Sequence, residues 1–395
     1  MTTSVALGFS RSERVTALAM GCVALMMLGL QPALLGTLIE QHRISMQGVG
    51  VVAMGEIFSL GIGVVLAEKL LPLQHIRAVA VIGCVLLAAV NLLTLGVHGD
   101  AACAAMRVLA GLLEASLFWI TTIVIVRSRE PDRLAGIFLT VQTLTQALVM
   151  LSIARLPLQF MGWQAGFMVL ALVCILPLSV IHRLPRQVGS HTDAVMPSLV
   201  SLRGLFVLLV PLAHMSAIGT LWAYLEPLSK NAGVVGRDAD TLVALVLLMQ
   251  VVGGSVAALA VRRWRMTPAL LSSAAVVVVV GLAIHQFSTP HPWAFTALCA
   301  ALGFVWLFQL PFHIRLAFEI DPRGRIALLV PPAQLLGSGL GPLAASLSVH
   351  GEDVRRIPLI AAAFAVCVVV ALWLVRYRAP SGNDRGVLAG GGHIK

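Results

Sequence analysis

The feature that most constrains this chain is a series of about twelve apolar runs, each near the length of a membrane-spanning helix. A helix needs about 20 apolar residues to cross the hydrocarbon core of a bilayer. Charged residues make up only 11% of the sequence and hydrophobic residues 59%, whereas soluble domains carry roughly 25% charged residues. The chain is therefore predicted to be an all-α membrane protein. The predicted spans are Val15–Leu38, Gln47–Ala67, Ile76–Val97, Ala101–Val126, Leu134–Ile153, Trp163–Ile181, Leu205–Leu225, Thr241–Val261, Pro268–Phe287, Trp293–Ile314, Ile326–Val349 and Ile357–Val375.

Basic residues are concentrated in alternate loops between the predicted spans. Arg127, Arg129 and Arg133 lie between the fourth and fifth spans, and the loops on the opposite side carry fewer. An excess of arginine and lysine marks the cytoplasmic loops of a membrane protein, so both termini are predicted to be cytoplasmic. The net charge of +10 is attributed to these loops, and no nucleic-acid partner is expected. The predicted location is the lipid bilayer of the cell inner membrane.

The chain is predicted to consist of two similar halves of six spans each. Arg325 follows Arg133 by 192 residues, and Gln334 follows Gln142 by the same interval, close to half the length of the chain. Parallel repeats of this kind occur in secondary transporters. The predicted divisions are a first six-helix bundle at residues 1–182, a cytoplasmic linker at 183–203, a second six-helix bundle at 204–378 and a disordered tail at 379–395.

Three residues of the fourth span form the most informative motif. Arg107, Gly111 and Glu114 are spaced i, i+4 and i+7, so a helix places them on one face. A further carboxylate, Glu56, lies within the second span, roughly 13 Å deep at about 1.5 Å of rise per residue. Ionisable residues at such depth are unfavourable in lipid and usually line a functional cavity.

The chain resembles the transporters of the major facilitator superfamily over nearly its whole length. The motif of Arg107, Gly111 and Glu114 is similar to the family's fourth-helix motif, in which an arginine is tied to proton coupling. The second–third loop is a degenerate version of the family's signature, in which Glu68 takes the place of an aspartate and the paired arginines are missing. The resemblance implies two pseudo-symmetric six-helix bundles, with spans 1, 4, 7 and 10 lining a central cavity and spans 3, 6, 9 and 12 facing lipid.

Polar side chains within the spans are the candidate site residues. Glu56 and Glu114, modulated by Arg107, are predicted to couple transport to protons, because a carboxyl group in a low-dielectric site can exchange protons near neutral pH. The remaining candidates are predicted to contact the substrate, and they are Gln31, Gln142, Gln146, His214, Gln250, Trp306, Gln309 and Gln334.

Each assignment has a structural alternative. Arg107 could hold Glu56 or Glu114 in a permanent ion pair, bind an anionic group of the substrate, or tie backbone carbonyls. The glutamines could hydrogen-bond across helices, and His214 and His313 could be ordinary core histidines. Trp119 could line the cavity or face lipid. Residues that could be interfacial anchors instead of substrate contacts are Trp222, Tyr224 and Glu226.

The predicted function is proton-coupled secondary active transport of a small organic molecule by alternating access. The fifth span lacks the Gly-Pro motif of many drug/proton antiporters, which favours uptake by symport. A proton-driven efflux antiporter for drugs or metabolites, an uncoupled facilitator and a ligand-sensing membrane protein are the alternatives. The chain has no P-loop and no catalytic constellation, so neither ATP as an energy source nor an enzyme is predicted. No cofactor or metal is expected, and the protein is expected to be a monomer.

Overall fold

The computed structural model describes residues 9–155, 164–185, 201–287, 289–322 and 324–377. Within these ranges, twelve helices are long and apolar enough to cross a bilayer, which confirms the prediction of an all-α, multi-pass membrane protein. We number these helices in chain order. They are α1 (Arg11–Glu40), α2 (Gly48–Leu70), α3 (Ile76–Gly96), α4 (Asp100–Val126), α5 (Arg133–Arg155), α6 (Gln164–Arg183), α7 (Leu202–Ala223), α8 (Arg237–Ala260), α9 (Met266–His285), α10 (Pro292–Ile320), α11 (Ala327–Ser346) and α12 (Ile357–Arg376).

The twelve helices form two halves, α1–α6 and α7–α12. In the first half α2 packs along α4, and α3 packs against α4 and α6; in the second half α8 packs along α10, and α7 packs against α11 and α12. The halves meet where α2 contacts α11 and where α5 contacts α8. Most of the predicted linker and the whole predicted tail lie outside the described residues, so both remain predictions.

Glycines set the spacing of corresponding helix pairs in the two halves. A Cβ atom on Gly111 would lie 2.3 Å from the backbone oxygen of Glu56, and one on Gly303 would lie 2.4 Å from that of Val246. Any side chain at either position would push the paired helices apart. Gly303 follows Gly111 by 192 residues, so the interval found in the sequence also relates the α2–α4 contact to the α8–α10 contact.

The two faces of the bundle differ in charge. We call the face at which α1 begins and α12 ends the proximal face, and the face at which α1 ends the distal face. The basic loops predicted from the sequence, such as the one with Arg127 and Arg129 after α4, lie at the proximal face. The assignment of this face to the cytoplasm remains a prediction from charge.

The two halves are sealed against each other at the distal face. One apolar core joins them there, with Leu38 and Val49 of the first half in the same cluster as Leu228 and Val349 of the second. Nearer the proximal face the buried residues form one cluster within the first half and another within the second. The structure is therefore closed at its distal end, where the halves share a core.

Polar contacts reinforce the distal seal. The amide of Gln47 donates to the carbonyl of Val349 in the other half over 2.8 Å. A short helix, Leu225–Asn231, follows α7 and contains Lys230. Lys230 forms an ion pair with Glu40 of the first half at 2.7 Å. Both contacts must break before the halves can separate at this face.

Candidate functional site

An ion pair buried between α2 and α4 forms the centre of the candidate site. Nη1 of Arg107 lies 3.3 Å from Oε1 of Glu56, and the two side chains are only 1% and 4% exposed. The close approach at Gly111, one helical turn along α4, is what brings Glu56 within reach. A buried charge is tolerated when it is paired and hydrogen-bonded, so this partnership explains how α4 carries an arginine inside the bilayer.

Arg107 has two further acceptors that the sequence analysis missed. Its Nη1 donates to Oδ1 of Asn91 over 3.1 Å, and its Nη2 donates to Oγ1 of Thr94 over 2.7 Å. The ring of Phe167 faces the guanidinium, with its centroid 5.5 Å from Cζ. Asn91 and Thr94 are polar residues three apart in an otherwise apolar third span, and that spacing could have identified them as one helix face. Arg107 is therefore anchored by side chains.

Glu114 joins the ion pair through a small cavity near the middle of the membrane. Glu114 and Glu56 are both buried, and both line this cavity. The cavity has a volume of about 20 Å³, and its lining includes Gln31, Glu56 and Glu114 from the first half and Leu335 from α11 of the second. A cavity of this size holds about one water molecule. The structure thus brings both predicted proton-coupling carboxylates and one predicted substrate contact together.

The glutamines of α5 lie beside a break in α1. Helix α1 consists of two segments, Arg11–Ala24 and Met26–Glu40, and the amide of Gln146 donates to the backbone oxygen of Leu25 at the break. Gln146 is therefore used as an interhelical tie, as the structural alternative anticipated. Gln142, one turn earlier on α5, is also buried.

Three side chains from three helices form a hydrogen-bonded chain in the second half. Nδ1 of His214 on α7 lies 3.0 Å from Nε2 of His313 on α10. Nδ1 of His313 in turn lies 3.2 Å from Nε2 of Gln334 on α11. Both histidines are fully buried, and Nε2 of His214 has no partner among the described residues. The sequence suggested His214 and Gln334 separately as substrate contacts, and His313, which links them, was considered as a coupling residue or a core histidine but was not among the predicted substrate contacts.

The remaining candidates of the second half lie around a break in α10. Gln309 separates the segments Pro292–Phe308 and Leu310–Ile320, because Pro311 lacks the amide hydrogen that would continue the helix. Oε1 of Gln309 and Nε2 of Gln250 are buried without a hydrogen-bond partner in the described part of the chain. Buried amide atoms are normally paired, so these two groups are available to a ligand that separates the helices.

The aromatic candidates are buried at the boundary between the halves. The rings of Trp306 and Trp222 meet edge to face with centroids 5.2 Å apart. Trp222 and Tyr224 are 1% and 0% exposed, so neither is an interfacial anchor; Glu226 lies in the short helix after α7. Trp119 of α4 is also buried, and its Nε1 donates to Oε2 of Glu68 over 2.7 Å. Glu68, the acidic residue of the degenerate loop signature, is therefore paired within its own half.

Comparison with known proteins shows which fold the chain has, but it does not show its activity. No model of a protein family matches the sequence, and no curated protein matches it either. A mutant of the nucleoside transporter NupG superposes with a TM-score of 0.70 at 11% identity, covering 92% of this chain and 99% of that one. A bacterial homologue of the human lysosomal transporter Spinster, inward-facing and unoccupied, superposes with a TM-score of 0.61 at 12% identity, covering 92% and 95%. The inward-facing, occupied form of that homologue superposes with a TM-score of 0.62 at 13% identity, covering 93% of this chain and 95% of that one.

Proposed function

We propose that this chain, which has the fold of the major facilitator superfamily, is a secondary active transporter that couples the movement of a small organic molecule to protons at Glu56 and Glu114. The observation that carries the proposal is a cavity between the halves that is lined by two buried carboxyl groups, Glu56 and Glu114, of which Glu56 is paired with Arg107. The NupG and Spinster structures, which are transporters by their descriptions, support transport as the general activity.

The chemistry of the carboxyl pair supports proton binding. Arg107 can neutralise one carboxylate, but two negative charges in a low-dielectric site repel each other strongly. Two carboxyl groups that line one small buried cavity repel each other less when one of them carries a proton, and the two groups then titrate as a pair. A motion that separates Glu114 from Glu56 or admits water would release that proton. The pair is therefore suited to link protonation to the conformation of the halves.

The position of the pair relates it to alternating access. An apolar cluster of Leu25, Leu60, Leu134 and Phe138, contacted by Leu335 of the second half, lies on the proximal side of the carboxyl cavity. The seal at the distal face lies on the other side. Rocking of the two halves would separate Leu335 from this cluster or open the distal seal in turn, and it would expose the carboxyl pair to one side of the membrane at a time.

The second half supplies neutral groups for the substrate. Gln250 and Gln309 have amide atoms without a partner among the described residues, and Trp306 adds an aromatic ring on the same helix as Gln309. These groups suit a polar organic molecule with an apolar or aromatic face. We assign substrate contact to the second half and proton binding to the first, with uptake by symport as the direction and localisation to the cell inner membrane.

The test begins with a thermal-shift screen of small organic molecules, including nucleosides, on the purified protein. The best ligand is then followed in proteoliposomes under pH gradients of both signs. Glu56→Gln and Glu114→Gln are expected to abolish gradient-driven accumulation while substrate exchange continues. Glu352→Gln, which changes an exposed distal carboxylate, is the matched control. Equal wild-type accumulation with and without a gradient would refute proton coupling and indicate a facilitator, and export driven by proton entry would indicate an antiporter.

A further inference from the structure

A second cavity lies at the proximal face of the first half, away from the carboxyl pair. We call it the arginine cleft. Its volume is about 560 Å³, within the range of about 300–1,000 Å³ that is usual for ligand pockets. Of the nine lining residues that the structure describes, four are arginines and one is acidic. The arginines are Arg11, Arg14, Arg129 and Arg133, and the acidic residue is Glu130.

Arginines elsewhere at this face are used as internal ties. Arg77 donates to the backbone oxygen of Leu184, and Arg203 donates to that of Val375. Arg315 donates in the same way to the backbone oxygen of Trp264. These arginines stabilise the fold by donating to backbone carbonyl groups, so their guanidinium groups already have acceptors within the protein.

The arginines of the cleft differ from these ties. Arg133 pairs with Glu130 at 2.9 Å, so the acidic residue of the described lining already has a partner. Among the described residues, the side chains of Arg11, Arg14 and Arg129 have no hydrogen-bond or ion-pair partner. Nε of Arg14 is also buried from solvent. A buried guanidinium nitrogen without an acceptor is unfavourable, and an anion in the cleft would supply the acceptor.

The local backbone adds to the positive potential. Helix α1 begins at Arg11 behind a Ser10 cap, and the helix of α5 extends back to Pro131, so two helix N-termini meet at the cleft. The N-terminus of a helix carries a partial positive charge and presents free amide groups. Phosphate and carboxylate groups are the anions that arginine binds with paired hydrogen bonds.

We propose that the arginine cleft is a binding site for an oxyanion, a phosphate or carboxylate group, held chiefly by Arg14 and Arg129. The site does not depend on the proposed transport activity, because its residues are separate from the carboxyl cavity. The anion can come from two sources, a free anion in solution or the headgroup of an anionic lipid at the membrane surface.

The experiment measures anion binding to the full chain in two arms. In the first arm, inorganic phosphate is titrated calorimetrically into detergent-purified protein. In the second arm, native mass spectrometry counts the anionic lipids retained from nanodiscs of phosphatidylcholine with or without phosphatidylglycerol. Binding in the first arm assigns a free anion, and binding in the second alone assigns a lipid headgroup.

Charge-matched variants decide whether the cleft itself is the site. Arg14→Gln with Arg129→Gln is expected to weaken binding by at least about tenfold, because each charge-assisted hydrogen bond contributes strongly to an anion complex. Arg262→Gln with Arg263→Gln removes the same charge from an exposed proximal loop of the second half, and binding is expected to persist. Equal loss in the two double variants, or no anion binding in either arm, would overturn the proposal.

Discussion

Trp222 of α7 donates its indole N–H to the backbone oxygen of Leu28 in α1 over 2.8 Å, and this bond joins the two halves of the protein. The acceptor is free because Pro32, four residues later, has no amide hydrogen to continue the helix. The proline thus creates an acceptor within the membrane, and the tryptophan of the other half satisfies it. Leu28 lines the carboxyl cavity, and Trp222 belongs to the apolar core that joins the halves at the distal face.

Trp222→Phe is expected to shift the protein towards a state that is open at the distal face. The substitution keeps an aromatic ring but removes the donor, and one buried hydrogen bond is worth about 0.5–1.5 kcal/mol. The open population should rise about two- to tenfold. Spin labels at the exposed positions Gln41 and Glu352, in a Cys367→Ser background, would report the distance between the halves. Trp293→Phe, at a side chain that is 87% exposed, should leave that distance distribution unchanged.

Lys230→Met is expected to make stability depend on pH through Glu226. Burial raises the pKa of Glu226, and the hydrogen bond and charge of Lys230 lower it without cancelling the effect. Without Lys230, the pKa of Glu226 should rise further. A carboxylate with a raised pKa destabilises the folded state above that pKa, and the penalty disappears as the pH falls through it.

The measurement is thermal unfolding of the Lys230→Met variant in mildly alkaline and mildly acidic buffers. The variant should lose stability in alkaline buffer and recover towards the wild type in acidic buffer. Adding Glu226→Gln should remove this difference. A Lys230→Met variant with the same pH profile as the double variant would show that Glu226 does not depend on Lys230.

Gly111→Ala is expected to destabilise the protein and to disturb the central ion pair. The new Cβ would lie 2.2 Å from Oγ of Ser59 and 2.3 Å from the backbone oxygen of Glu56, so α2 must move. Overpacking of this kind costs about 1–3 kcal/mol. Gly136→Ala on α5 is the control, because nothing lies within 4 Å of its Cβ. Thermal unfolding should show a clear loss for the first variant and no loss for the second.

Arg107→Lys is expected to be strongly destabilising although it keeps the charge. A lysine cannot present two nitrogens in a fixed plane to Glu56, Asn91 and Thr94 at once. Arg107→Met leaves Glu56 without its partner, and removing one partner of a buried ion pair costs about 3–5 kcal/mol. Arg107→Met combined with Glu56→Met removes both partners of the ion pair and should be more stable than Arg107→Met alone. If the double variant is the less stable of the two in thermal unfolding, Glu56 is not held by Arg107.

Much of the fold could be predicted from the sequence because the bilayer makes strong and local demands. A spanning helix must be long and apolar, and the predicted Leu205–Leu225 and Thr241–Val261 overlap the observed α7 and α8 closely. The residues Glu56, Arg107 and Glu114 stood out for the same reason, since charge is rare within such spans. Their presence near one cavity followed from helix periodicity and from the family resemblance.

Partners across helices could not be predicted in the same way. Asn91 and Thr94 are acceptors for Arg107 only because α3 packs beside α4, and His313 links His214 to Gln334 only because α10 contacts both α7 and α11. Uncharged polar residues are common in membrane helices and form hydrogen bonds across helices. Their presence in the sequence therefore did not show which of them belong to a binding site and which only join two helices.

The sequence by itself determined twelve spans, their division into two similar halves and the depth of the ionisable residues, because lipid selects for length, apolarity and period along a single helix. Only the tertiary structure decided that Arg107 pairs with Glu56 and that the halves are closed at the distal face. These outcomes depend on how closely helices approach, which glycines such as Gly111 and prolines such as Pro32 set through contacts with residues remote in the chain.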